Sequence, residues 1–122
     1  MKVKIKDLVS KTILIEGRPT VAFTAALEAL KKEKLSVPVA FKLIGINKTA
    51  LVAIEDFLSV RNKRLEELQV EGVLSKENEE IFVKEVNQIL EKEIELETLS
   101  KDELADVKIT ADYLEVLEPI LV

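Results

Sequence analysis

The 122-residue chain has no cysteine, no histidine and no tryptophan, and only three glycines and three prolines. Without cysteine there can be no disulfide and no thiolate metal site, and the redox compartment is left open. Without histidine the commonest general base and the imidazole metal ligands are missing. Gly17, Gly45 and Gly72 are too few and too scattered for a G-x-G-x-x-G turn or a Walker loop. Asn47-Lys48-Thr49 lacks the glycines that would have to precede it. Four phenylalanines and one tyrosine leave an aliphatic core to be built. No unbroken apolar run approaches the roughly 20 residues of a membrane helix. The opening MKVKIKDLVSK lacks an apolar signal-peptide segment. The default expectation is therefore a cytosolic protein without a membrane partner. The 23 acids against 18 bases give a net charge of −5, which argues against non-specific nucleic-acid binding.

What is present is a globular composition, 48% apolar and 34% charged, of a length that suits one domain spanning residues 1–122. The clearest pattern lies between residues 44 and 68. Ile44, Leu51, Ile54, Leu58, Leu65 and Leu68 follow a strict 3-4 spacing, interrupted by Asn47 and Arg61. That spacing aligns the side chains along one narrow helix face, the seam by which helices pair. A helix is expected over 37–69, with Ser36 as its cap, Pro38 in its first turn and a possible break at Gly45. After a turn at Glu71 to Leu74, Ser75 caps a second helix over 76–91, with Phe82, Val86, Ile89 and Leu90 facing inward. The expected unit is a long antiparallel helical hairpin, with Leu58 buried against the second helix and Arg61 reaching Glu85 or Glu93.

Around it, Lys2 to Lys6 alternates as a half-buried strand and Ile13 to Ile15 forms a second, ended by Gly17 and Pro19. Phe23, Ala26, Leu27 and Leu30 mark a helix over 20–33. Glu93 to Glu97 alternates as another strand. Lys2, Lys4 and Lys6 would stand opposite Glu93, Glu95 and Glu97 if the two segments pair. Ser100 with Glu103 reads as a capping box stapled by Leu99 and Leu104, and Thr110 as the cap of a last helix stapled by Ile109 and Leu114. Short helices are thus expected over 100–122. The fold class is α+β and mostly helical, with a small β-sheet of terminal strands. No repeat, low-complexity segment or domain-splitting linker interrupts it.

Few residues suggest chemistry. A serine nucleophile would need lysine as its base, and Ser10-Lys11, Ser75-Lys76 and Ser100-Lys101 are adjacent pairs. Two of those serines are better explained as caps. The acid clusters Glu66/Glu67, Glu77/Glu79/Glu80 and Glu91/Glu93/Glu95/Glu97 fall on expected outer faces and lack Ca²⁺-loop spacing. Phe41 to Ile46 with Leu51 has the outline of a helix-turn-helix centred on Gly45. Bulky Phe41 stands where alanine is usual, and Glu55 and Asp56 follow on the would-be recognition helix. No catalytic residue, cofactor or metal is expected.

The second half of the chain resembles a family of short proteins encoded by tailed phages and prophages of Gram-positive bacteria. The likeness rests on F-K-L at Phe41 to Leu43, E-D-F-L-S-V-R-N-K-R-L-E-E-L from Glu55, and N-E-E-I-F-V-K-E-V-N-Q-I-L from Asn78. It also takes in L-S-K-D-E-L-A-D-V-K-I-T-A-D-Y-L-E-V-L-E-P-I-L from Leu99 and the MKVKIKDLV opening. It covers most of residues 1–9 and 38–122. The family carries no established activity. Its genes often sit in the structural and tail region, which implies a virion component or assembly factor in the host cytoplasm or the particle. The resemblance implies a non-enzymatic protein that works by contact with phage structural proteins or with a second copy of itself. A regulator that binds a host protein is the alternative, and DNA binding a third. Val52, Val60, Val83, Leu117, Ile120 and Leu121 are the candidate contact residues, each of which could instead be core.

Overall fold

The computed structural model describes residues 1–122. Lys2–Lys4 forms strand β1, and the chain then turns into a short helix, α1, at Ile5–Val9. The expected strand to Lys6 is therefore cut short. The helical turn lets Ile5 and Leu8 join Val3 in the interior, while the Ile5 N–H donates to the Lys92 carbonyl at 2.9 Å. Thr12–Ile15 (β2) and Arg18–Val21 (β3) pair as an antiparallel hairpin, with Ile15 opposite Arg18. Its two turn residues, Glu16 and Gly17, both have positive φ, the geometry that matches the twist of two-residue hairpins. Sequence reasoning missed β3, because Pro19 looked like a terminator. In a two-stranded hairpin the outer edge of β3 is free, so proline is tolerated there. The helix expected from residue 20 starts later, as α2 at Ala22–Lys31.

Helix α3, Val37–Leu68, is continuous through Gly45. Ser36 precedes it in extended conformation, but its side chain makes no capping hydrogen bond, and Pro38 lies in the first turn. Helix α4, Lys76–Leu90, returns antiparallel. Asn78 Nδ2 donates to the Leu68 carbonyl at 2.8 Å and Arg64 meets Glu85, so contacts climb one helix as they descend the other. Strand β4, Glu93–Glu95, pairs with β1 in antiparallel register, Lys2 opposite Glu95 and Lys4 opposite Glu93. The facing lysine and glutamate segments are thus adjacent, as the alternation predicts. Lys6 and Glu97 fall outside the ladder, and the ion pairs of Lys4 and Lys6 both go to Glu91, at 2.7 and 2.9 Å.

The capping box is present: Ser100 and Glu103 exchange backbone–side-chain hydrogen bonds at 3.0 and 3.1 Å. Yet residues 101–106 form successive turns, not the helix expected after such a box. Thr110 does cap a helix, α5, at Ala111–Val116, and a single 3-10 turn follows at Glu118–Ile120. Leu99 and Leu121 bridge in parallel, which brings the chain end back beside residue 99.

All 21 buried residues are apolar. The main cluster joins β1, α1, α2, the first part of α3, and the segments holding Leu96, Leu99, Leu104, Leu117 and Ile120. Two contact candidates therefore belong to the core, and a third is half-buried beside them. Leu117 and Ile120 are wholly buried and Leu121 packs partly buried against them, because the chain end folds back onto Leu99.

The seam also requires correction. The buried stripe of α3 is Val39, Leu43, Ile46, Ala50, Ile54 and Phe57, whereas Ile44 is 59% exposed. A strict seven-residue pattern drifts by about 20° per heptad around a straight helix. The stripe from Ile44 consequently begins on the solvent side, reaches the core at Ile54 and ends buried at Leu68. Leu51, Leu58, Arg61 and Leu65 are half-buried along the way. Over its most apolar 18 residues α3 has a mean hydropathy of 1.5, enough by length and composition for a membrane span, although no unbroken apolar run has that length. That apolar content is divided between the core face and an exposed face.

Candidate protein-contact surfaces

Beyond Phe57, only Leu68 of α3 is buried, and α4 contains no buried residue at all. The far half of α3 and most of α4 thus form an arm whose two helices chiefly cover each other. Phe82, Val86, Ile89 and Leu90 are half-buried on the inner face of α4, as their spacing predicts. Arg64 locks the arm: Nε and one terminal nitrogen donate to the two Glu85 oxygens at 2.6 and 3.0 Å, and the guanidinium also meets Glu67. This fork holds the Glu85 carboxyl below its ordinary pKa. Sequence reasoning gave that partner to Arg61. Arg61 instead lies over the Phe57 ring, 5.9 Å from its centre, and bonds Asn62. Arg64 and Glu85 both sit on the facing sides of the hairpin, a helical offset of three residues from Arg61 that the 3-4 pattern of leucines did not mark.

At the end of the arm Val70 and Val73 exchange both backbone hydrogen bonds, at 2.9 and 3.0 Å, across Glu71 and Gly72. Both turn residues have positive φ, at 53° and 77°. The tip is therefore a closed two-residue turn that holds two exposed valine side chains outward. Ile81 and Val83 on α4 and Val60 on α3 add exposed aliphatic area. Val52, Val60 and Val83 are each about half exposed, so these three candidate contacts stand where a partner can reach them.

A second surface lies at the other end of α3. Val37, Phe41, Ile44 and Val52 recur at helical spacing on the face opposite the core, and Phe41 is 73% exposed. Beside them a groove of about 470 Å³ runs between α2 and α3, floored by Leu27, Leu35, Leu43 and Leu51 and rimmed by Lys31 and Lys48, with one acid, Glu33, between them. Asn47 lies in its wall. The sequence pattern does not reveal the exposure of Ile44, because the stripe that starts there lies beside the wholly apolar stripe from Val39 to Phe57 that forms the core face.

The serine–lysine pairs have structural roles or none. Ser75 Oγ accepts from the Asn78 N–H, Ser100 Oγ from the Glu103 N–H, and Lys11 pairs with Glu115. Glu103 is held below its ordinary pKa by the Ser100 N–H and then by Lys42. No three acids converge to hold a metal ion, and no polar side chain is buried. The turn required of a helix-turn-helix at Gly45 is absent, since α3 is unbroken there. No family model, no curated protein and no solved structure matches the chain.

Proposed function

We propose that this protein acts by contact, as a phage-encoded virion or tail-assembly factor whose arm docks on a protein partner. The observation that carries the contact reading is surface left without internal cover. The chain exposes 8327 Å², against about 6,600 Å² for a compact monomer of its mass. The excess is about twice the roughly 800 Å² that each partner buries in a standard protein–protein interface. On the arm Val60, Val70, Val73, Ile81 and Val83 are exposed, and α4 buries no residue. The assignment to phage particles rests on the sequence resemblance at residues 1–9 and 38–122, and the setting proposed is the host cytoplasm or the virion.

Purification of particles and tail intermediates from infected cells tests the proposal. The chain should be present in one of them, and Val60→Asp with Val83→Asp should remove it without lowering its denaturation midpoint, since neither position is core. Recovery of only a host enzyme, with the chain missing from particles and intermediates, would overturn the assembly role in favour of a host-directed regulator. Binding to duplex with a steep salt dependence that is lost on changing Lys48 would favour a DNA reader.

A further inference from the structure

The two ends of α3 carry opposite unpaired charges. Between residues 66 and 80 six glutamates stand against one lysine, and between residues 31 and 48 five lysines stand against one glutamate. Glu66, Glu71, Glu77, Glu79 and Glu80 take part in none of the ion pairs of the fold. Nor do Lys31, Lys32, Lys34 and Lys48, and all nine side chains belong to exposed residues. Each charged end also presents apolar surface. The acidic end is the protruding turn with Val70 and Val73, and the basic end is the groove between α2 and α3 flanked by Phe41 and Ile44.

Within one chain these surfaces cannot meet. Ile44 and Leu68 lie on the same unbroken helix, roughly 36 Å apart at 1.5 Å per residue. We infer that the arm tip of one copy docks in the α2–α3 groove of a second copy, its glutamates against the lysine rim. Such a contact joins different surfaces of the two partners, so it repeats head to tail and builds a ring or a filament. This inference deepens the contact reading above by naming a second copy as one partner, and it can fail while that reading stands.

Sedimentation of the full chain over a wide concentration range tests it. The wild type should associate beyond the dimer at low salt, and association should weaken as salt screens the exposed charges. Lys31→Glu with Lys48→Glu, and separately Glu71→Lys with Glu77→Lys, should each reduce self-association at least about tenfold. Mixing the two variants should restore it, because each then offers a tip of the sign opposite to the other's groove. That rescue also shows that both variants are folded. A wild type that stays monomeric at all concentrations overturns the inference, as does association that neither variant alters. A monomer that binds vesicles of anionic phospholipid and loses them on Phe41→Asp also overturns it, the groove face then meeting a membrane. In these cases the chain's presence in particles still decides the contact reading independently.

Discussion

Ile54 and Leu58 sit one turn apart on α3 and should respond differently to truncation. Ile54 is 2% exposed inside the main cluster, so Ile54→Ala should cost about 2–5 kcal/mol in chemical denaturation. Leu58 is half-buried at the edge of the same cluster, so Leu58→Ala should cost clearly less. An equal loss at both positions would mean that the arm packs more tightly onto the body than this fold has it. Glu91 is the residue to follow with pH. Hydrogen bonds from Lys4 and Lys6 hold its carboxyl down to about 2, from an ordinary value of 4.5. The folded value lies below the unfolded one, so the stabilisation is complete above the ordinary carboxylate range and disappears as pH falls towards 2. Glu91→Gln should therefore flatten the acid limb of a stability–pH profile. A double-mutant cycle at low salt should couple Lys4 with Glu91 and leave Lys4 uncoupled from Glu95, which pairs with the N-terminal ammonium instead.

At the scale of elements, the two Glu-Gly turns close hairpins of different kinds, one between strands and one between helices. Gly72 has open space around its α-carbon, so only its backbone conformation resists a side chain. Gly72→Ala should cost about 1–2 kcal/mol by the left-handed penalty alone, whereas Gly45→Ala, in mid-helix with open space, should be neutral or stabilising. Thermal denaturation of the two variants checks this contrast. The long helices are legible because their periodicity is sustained: α3 and α4 lie within a residue of their expected limits, and β1 and β4 are adjacent as their opposite alternations predict. Two short elements are not. α1 and β3 exist because tertiary contacts hold them, and the Ser100–Glu103 box forms without a helix because the chain must turn to bury Leu104. Of the contact candidates, Val52, Val60 and Val83 are exposed, while Leu117 and Ile120 take the alternative reading as core and Leu121 is half-buried beside them, since a short apolar segment reveals nothing of where it folds back. Phe41 lies on the helix face outside the expected stripe, and the tip valines lie beyond the helix, in the turn, where periodicity gives no guide.

The molecule as a whole divides into a body with an aliphatic core and an arm without one. An arm of two helices that chiefly cover each other is sustained by the Arg64–Glu85 fork, the Asn78 cap and the inner apolar face, so its polar and aliphatic outer surface is free to serve a partner. The central claim is that this arm is where the protein makes contact. A photoreactive side chain placed at Val83, with a control at exposed Lys108 on the body, tests it most directly. In infected cells the account predicts covalent adducts from Val83 to a phage structural protein or to a second copy, and few from Lys108. Adducts that form at Lys108 while Val83 yields none would contradict it.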